Sequence, residues 1–143
     1  MTIRRAVLFV AVGALLTPAL AAAHHSFAAE YDSNRPITLR GTINRMLWSN
    51  PHGHLFIDVK SQDGKVVTWE LETGTPSALY RRGLSKADLP VGGEVIVRAF
   101  LAKDGTPTAN ASIITLAGSG KTLFAGSEGT GAPEPPGEGP RAR

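Results

Sequence analysis

Apolar and polar residues alternate in five segments of the chain, and this period of two predicts β-strands. The five segments are residues 37–48, 55–59, 66–71, 94–102 and 109–116. In the first segment, Ile37, Leu39 and Ile43 share one side of the extended chain. Gly41 lies on the same side and predicts a bend or a bulge there. Residues 122–124 predict a short sixth strand.

Turn and capping residues separate these strands. Asp-Gly pairs at 63–64 and 104–105 predict hairpin turns, because glycine adopts a positive φ at low cost. Residues 75–83 do not show the alternation of a strand, and they predict one helix of about two turns. Thr75 is suited to the N-cap of this helix and Gly83 to its C-terminal cap.

The order of these elements indicates the fold. Three meandering strands, a short helix and a hairpin are the element order of the OB-fold, a small, partly open β-barrel. A β-sandwich would require more strands than the pattern provides. We therefore predict an all-β domain with one short helix and a barrel of five or six strands. OB barrels bind many kinds of ligand, so this fold does not identify one.

The first 23 residues have the order of a cleavable signal peptide. Arg4 and Arg5 precede an apolar run at residues 6–16, and small residues follow Pro18. The apolar run is shorter than the roughly 20 residues that span a bilayer. We predict a periplasmic or secreted protein that has no stable membrane insertion after cleavage.

Two cleavage positions fit the small residues before the first histidines. Ala19-Leu20-Ala21 places the cut before Ala22, whereas Ala21-Ala22-Ala23 places it before His24. Because the chain has no cysteine, attachment as a lipoprotein is excluded and no disulfide is available.

We divide the remaining chain into a barrel domain at residues 24–126 and a tail at 127–143. Glycine, proline and glutamate dominate the tail, which has too little apolar surface to offset its ordering entropy and is predicted to be disordered. Without residues 1–23 the chain has 13 basic and 12 acidic side chains. This near-neutral charge argues against a nucleic-acid partner, which requires clustered Lys and Arg.

Residues 117–122 read Ala-Gly-Ser-Gly-Lys-Thr, like the end of a phosphate-binding loop. That motif requires glycine five positions before Gly120, where this chain has Thr115, and a helix afterwards, where a strand is predicted. We interpret Gly118-Ser119-Gly120-Lys121 as a hairpin turn.

Four aromatic residues allow two interpretations. Trp48, Phe56, Trp69 and Phe100 could form a stacking face for a ligand, as in OB-folds that bind single strands. The chain has no basic groove, and we therefore predict that these residues belong to the core, with Trp69 mostly buried.

The four histidines fall into two short clusters, His24-His25 and His52-Gly53-His54. Imidazole is the commonest transition-metal ligand near neutral pH. A cut before His24 frees the α-amine of this residue, so that the amine and a ring nitrogen can bind one metal together. This arrangement resembles the histidine brace of copper enzymes. A cut before Ala22 puts histidine in third place, where amine, two backbone amides and imidazole form a square-planar site.

Both arrangements favour Cu(II) over Zn(II), because the ligands are nitrogen only and Cu(II) leads the divalent affinity order. His25, His52 or His54 could complete either site. The alternative is that the paired histidines dock the N-terminus and that His52 satisfies a backbone carbonyl in its loop.

Several motifs resemble an uncharacterised family of small exported bacterial domains. The motifs are HHSFAAEYD, PITLRGTI, WSNPHGHLFIDV, VVTWELE, PSALYRRGL and VGGEVIVRAFLAKDGTPTANA, which together span about residues 23–126. The resemblance implies a periplasmic or secreted bacterial protein and implies no known activity. Many members carry an apolar or aromatic residue after the Asn-Pro-His of this motif, where this chain has Gly53-His54.

Three functions follow from these observations. The first is a periplasmic metal-binding domain, most suited to copper, with His24 and His25 as primary ligands, His52 next and no catalysis of its own. The second is a non-metal interaction module that binds a small molecule, an envelope component or a partner protein. The third is a copper-dependent oxidase.

Glu70 and Glu72 share one face of the third strand, but no nucleophile and base accompany them, so no catalytic residues are predicted.

Overall fold

The structure is a computed structural model that describes residues 27–126. The predicted signal peptide, His24, His25 and the tail at 127–143 lie outside the described residues. The elements are helix α1 (Phe27–Glu30), strands β1 (Tyr31–Leu47), β2 (His54–Lys60) and β3 (Val66–Glu72), helix α2 (Pro76–Arg81), the 3₁₀ turn η1 (Lys86–Asp88), and strands β4 (Glu94–Ala102), β5 (Thr108–Leu116) and β6 (Thr122–Phe124).

The six strands form one sheet in the order β3-β2-β1-β4-β5-β6, in which neighbouring strands are antiparallel. The sheet closes on itself through a parallel pairing of β3 with β5, in which Glu70, Leu71 and Glu72 face Thr108, Ala109 and Asn110. This short closure gives a partly closed ring of strands rather than a regular barrel. The predicted all-β class and OB-like architecture are confirmed.

The inward-facing residues of the strands form the main core. Alternation places one side of each strand inside the ring, as the period of two predicts. The fully buried strand residues include Leu55, Ile57, Leu71, Val95, Val97 and Ile114. Leu79 and Leu84, from α2 and the turn after it, are fully buried in the same core. In the described part of the chain, no helix has the length and apolar character needed to cross a membrane.

Gly41 lies where β1 approaches β2 too closely for a side chain. A Cβ atom at this position would lie 2.8 Å from the Asp58 carbonyl oxygen, which is backbone and cannot move aside cheaply. The β1–β2 register shifts between Ile43 and Arg45, where β1 carries a bulge. The irregularity in β1 thus lies at Asn44 and not at Gly41, where the prediction placed it, since Gly41 pairs in regular register with Val95. The first part of β1 pairs with β4 and the last part with β2.

Two features at the start of the sheet differ from the sequence prediction. A second helix, α1, precedes β1, and β1 begins at Tyr31 instead of Ile37. Residues 32–35 are polar and belong to an irregularity between Tyr31 and Pro36, so they carry no alternation to recognise. The turn predicted at residues 118–121 is confirmed, since the chain turns there between β5 and β6 and the Gly120 amide donates to the Leu116 carbonyl at 2.8 Å.

The aromatic side chains are divided between two sites. Trp48 and Trp69 are partly buried against the main core. Trp69 lies one residue before the pairing of β3 with β5 begins. Phe56 lies on the outer face under the Arg45 guanidinium, 4.1 Å from the ring centre. The core assignment therefore applies to both tryptophans and is wrong for Phe56.

A second, smaller apolar cluster lies on the outside of the ring. It contains Phe27, Tyr31 and Ala102, with Phe100 packed against them. The Phe27 ring makes an edge contact with Phe100 at 5.4 Å between centroids. The Lys103 amide donates to the Glu30 carbonyl at 2.9 Å. These contacts fix α1 and the start of β1 on the outer face, near the ends of β4 and β5.

Asp88 joins η1 to the β5–β6 turn. Its carboxylate accepts hydrogen bonds from the Ser85 amide at 2.8 Å and hydroxyl at 2.6 Å, and from the Lys121 ammonium at 3.1 Å. Lys121 also donates to the Gly83 carbonyl at 2.9 Å. The Ser85 hydrogen bonds, followed by Lys121, lower the pKa of Asp88 to about 2.

The lowered pKa of Asp88 predicts that this carboxylate contributes to the free energy of unfolding in a pH-dependent way. Because the folded pKa lies below the ordinary value of 3.8, the contribution is present above about pH 4 and is lost as the pH falls towards 2. We expect Asp88→Asn to lose less stability than the wild type over this range, as measured by urea unfolding at pH 5, 4, 3 and 2.5. Parallel curves for the two proteins would contradict the assignment.

Candidate functional site

A row of polar side chains crosses three strands on the outer face of the ring. His54 on β2 is paired in register with Glu72 on β3, which is paired with Asn110 on β5. Their chain neighbours Leu55, Leu71 and Ala109 are fully buried in the core. Asn110 is only 1% exposed although it faces outward, because the outer apolar cluster lies over this part of β5.

Glu72 is the centre of this row. Its Oε2 accepts a hydrogen bond from the Tyr31 hydroxyl at 2.8 Å. Its Oε1 accepts one from Asn110 Nδ2 at 3.3 Å and lies 3.7 Å from His52 Nδ1. The Glu72 side chain is 15% exposed. We call Tyr31, His52, Glu72 and Asn110 the Glu72 cluster.

Tyr31 acts as a hydroxyl donor in this cluster. Burial of the side chain raises its pKa far above the ordinary value, and the negative charge of Glu72 raises it further. A phenol with such a pKa remains protonated at physiological pH. The hydroxyl therefore presents its proton to Glu72, and its ring packs on Phe27 at 5.7 Å between centroids.

The backbone on both sides of His52 is held by specific contacts. The Ser49 hydroxyl donates to the His52 carbonyl at 2.9 Å. The Gly53 amide donates to the Gly74 carbonyl at 3.1 Å, and the Thr73 amide to the Gly53 carbonyl at 2.8 Å. A Cβ atom on Gly53 would lie 2.7 Å from Thr73 Oγ1, so this close approach requires glycine. The loop therefore presents His52 to β3 at a fixed position.

His54 has a similar neighbour in a more open setting. Its Nδ1 lies 2.9 Å from Glu70 Oε1, and no hydrogen bond joins the two atoms. The Glu70 side chain is 42% exposed. Both described histidines thus point Nδ1 towards a carboxylate of β3, but only His52 has a carboxylate that buried groups also hold.

The sequence prediction named four metal ligands, and the structure describes two of them. His52 and His54 lie at the start of β2 beside Glu72 and Glu70. His24 and His25 precede the described residues. Within residues 27–126, no three histidine, aspartate or glutamate side chains converge as a metal site would require.

The sequence analysis missed Tyr31 and Asn110 and gave Glu72 no role. Glu70 and Glu72 were recognised as sharing one strand face, which is a partial signal. Nothing in the sequence pairs Tyr31 with a residue 41 positions away. Asn110 also lacks a signal, because its contact with Glu72 depends on the parallel closure of the ring.

The fold and site define a small β domain with a buried polar cluster on the outer face of a partly closed ring. The chain belongs to a family of unknown function (DUF6152), whose model matches residues 13–111. The match covers both histidine pairs and the whole Glu72 cluster.

No curated protein matches the chain. Among solved structures, the chain is similar to part of a protein in a crystal structure of a complex of TiaS with a transfer RNA and ATP. The identity is 22% and the TM-score 0.40, over 60% of this chain and 19% of that one. A likeness of this size supports no conclusion about function.

Proposed function

We propose that this protein is an exported domain that binds one Cu(II) ion through His24 and His52. His24 contributes its ring and, after cleavage of residues 1–23, its free α-amine. His25 and His54 are the candidates for a further ligand. The domain itself performs no catalysis.

The observation that carries this proposal is the connection between the Glu72 cluster and the N-terminal end of the described chain. Phe27 packs on Tyr31, Tyr31 donates to Glu72, and Glu72 lies beside His52. His24 lies three positions before Phe27, and three extended residues span at most about 11 Å. This short reach supports a site that the histidine pair at 24–25 shares with His52 of the Glu72 cluster.

The donor atoms favour copper. An amine and imidazoles form a nitrogen-only set, and the chain has no cysteine that would favour a zinc or iron–sulfur site. A chelate of amine and imidazole suits the tetragonal geometry of Cu(II) better than the tetrahedral geometry of Zn(II). Protons compete for the same nitrogens, so affinity falls as the pH falls.

Titration calorimetry with Cu(II) on the chain that begins at His24, with no added residue, tests the proposal. We expect one Cu(II) per chain and tighter binding than for Zn(II). Loss of a contact around a ligand costs about 10–100-fold in affinity, and loss of a ligand more. We therefore expect His24→Ala to weaken binding by at least about 100-fold and His52→Ala by about 10-fold or more.

Two controls make this experiment specific. One extra glycine before His24 moves the amine away from the ring but keeps both groups, so we expect it to change the Cu(II) affinity by less than His24→Ala does. The N-terminal residue of the exported protein is read from its intact mass. Equal copper affinity in wild type and His24→Ala would reject the copper site and favour the interaction module.

A further inference from the structure

We propose that the connection between β3 and β4, together with the β5–β6 turn that contacts it, docks on the surface of an anionic phospholipid bilayer. We call this surface the basic face, and it comprises residues 76–93 and 117–121. The docking is peripheral and reversible. It needs no metal, so it is independent of the copper site proposed above.

Contacts between the two segments show that they form one surface. The Lys121 ammonium, in the β5–β6 turn, donates to the Gly83 carbonyl at 2.9 Å and to the Asp88 carboxylate at 3.1 Å. A cavity of about 300 Å³ lies between η1, the turn at residues 90–93 and the β5–β6 turn. Three apolar residues from the strands contribute to its lining, namely Ile43, Val95 and Leu116.

The basic face carries more cations than carboxylates. Its longer segment, residues 76–93, contains three cations, Arg81, Arg82 and Lys86, and one carboxylate, Asp88. The ammonium of Lys121 compensates the charge of Asp88. Within the described residues, the face therefore has an excess of three positive charges.

The contacts at the border of the face preserve this excess. Glu94 also lines the cavity, but the Arg40 guanidinium lies 3.1 Å from its carboxylate and compensates its charge. Arg82 is held in place by β6 and the residues after it. Its guanidinium donates to the Gly126 carbonyl at 2.7 Å and lies 4.3 Å from the centre of the Phe124 ring. Neither partner of Arg82 is acidic, so its positive charge remains at this surface.

Two apolar side chains project from the same connection. Tyr80 and Val91 are each 74% exposed, more than the other large hydrophobic residues that the structure describes. Single exposed apolar residues are common on proteins, but these two accompany the excess cations. Tyrosine is suited to the headgroup level of a bilayer, and valine to the boundary with the acyl chains. A soluble polyanion offers no apolar environment to Val91, and for this reason we assign a bilayer as the partner.

Co-sedimentation with lipid vesicles tests the proposal. The protein is the chain that begins at His24, so the apolar run at residues 6–16 does not contribute to binding. We expect it to bind vesicles of phosphatidylcholine and phosphatidylglycerol in equal parts, and not vesicles of phosphatidylcholine alone. Added salt weakens the binding, because it screens the charges. Absence of binding to the anionic vesicles would overturn the proposal.

Charge reversal locates the contact on the protein. Each lysine or arginine near an anionic bilayer strengthens binding by about fivefold, so we expect Lys86→Glu to weaken it by at least that factor. Lys60→Glu reverses an exposed lysine at the end of β2 and changes the net charge equally. We expect this control to stay within about twofold of the wild type, because the attraction falls off within a Debye length. Equal losses in the two variants would overturn the assignment to the basic face.

Removal of the apolar side chains distinguishes a bilayer from a soluble polyanion. We expect the double variant Tyr80→Ala, Val91→Ala to bind anionic vesicles about tenfold more weakly and to bind dextran sulfate as the wild type does. Val66→Ala, which truncates an exposed valine on β3, is the control and leaves vesicle binding unchanged. All the substituted side chains are exposed, and urea unfolding verifies that each variant is folded. A double variant that binds vesicles as tightly as the wild type would reject the bilayer and favour a soluble polyanion.

Discussion

Leu71→Ala lowers the free energy of unfolding by about 3–5 kcal/mol, the range for truncating a fully buried leucine. Leu71 is completely buried and lies on β3, where that strand pairs with β2 on one side and β5 on the other. Truncation leaves a cavity at the point where the ring closes, and the neighbouring strands can collapse into it only by giving up their pairing. Urea unfolding followed by tryptophan fluorescence measures the loss.

Val66→Ala is the matched control for this prediction. Val66 begins the same strand but is 61% exposed, so its truncation changes stability by less than about 0.5 kcal/mol. Comparable losses in the two variants would show that β3 does not enter the core as described.

Phe27→Ala releases the N-terminal segment from the outer face of the ring. Phe27 is 4% exposed, and its ring joins Tyr31 and Phe100 in the outer cluster. Because this cluster is separate from the main core, we expect local opening and a smaller loss of global stability than in Leu71→Ala. The proposed copper site loses its anchor in the same variant.

The Lys103 amide reports this opening, since it donates to the Glu30 carbonyl of α1. We expect its hydrogen exchange to accelerate by at least about tenfold, which corresponds to about 1.4 kcal/mol of docking free energy. The Val97 amide, in the core strand β4, stays protected. Phe56→Ala, which truncates an aromatic residue elsewhere on the outer face, is the control. Unchanged exchange at Lys103 in Phe27→Ala would show that Phe27 does not hold α1.

The strands and the single predicted helix could be derived from sequence because each depends on local signals. A period of two, the Asp-Gly pairs, and a Thr-Pro start with a glycine end are properties of adjacent residues. The start of β1 carried no such signal. Residues 32–35 are polar and irregular, and Tyr31 is placed by its pairing with Ala102, which lies 71 residues further along the chain.

The same distinction between local signals and distant pairing applies to the residues of the candidate site. His52 and His54 were named because their residue type and close spacing suffice to suggest a ligand. Their carboxylate partners depend on the register of β2 against β3. Asn110 joins Glu72 only because β5 returns parallel to β3, which is a property of the closed ring and of no short segment.

The closure of the ring leaves part of β3 uncovered. From Val66 to Thr68, this strand has β2 on one side and, within residues 27–126, no strand on the other. Val66 and Val67 are both exposed there. Open backbone groups beside exposed valines are a template on which a strand of another chain can add, the route by which β proteins aggregate. The hairpin tip directly before this stretch is charged, with Lys65 paired to Asp63 at 3.0 Å. Charged residues next to an exposed strand oppose the addition of a strand from another chain.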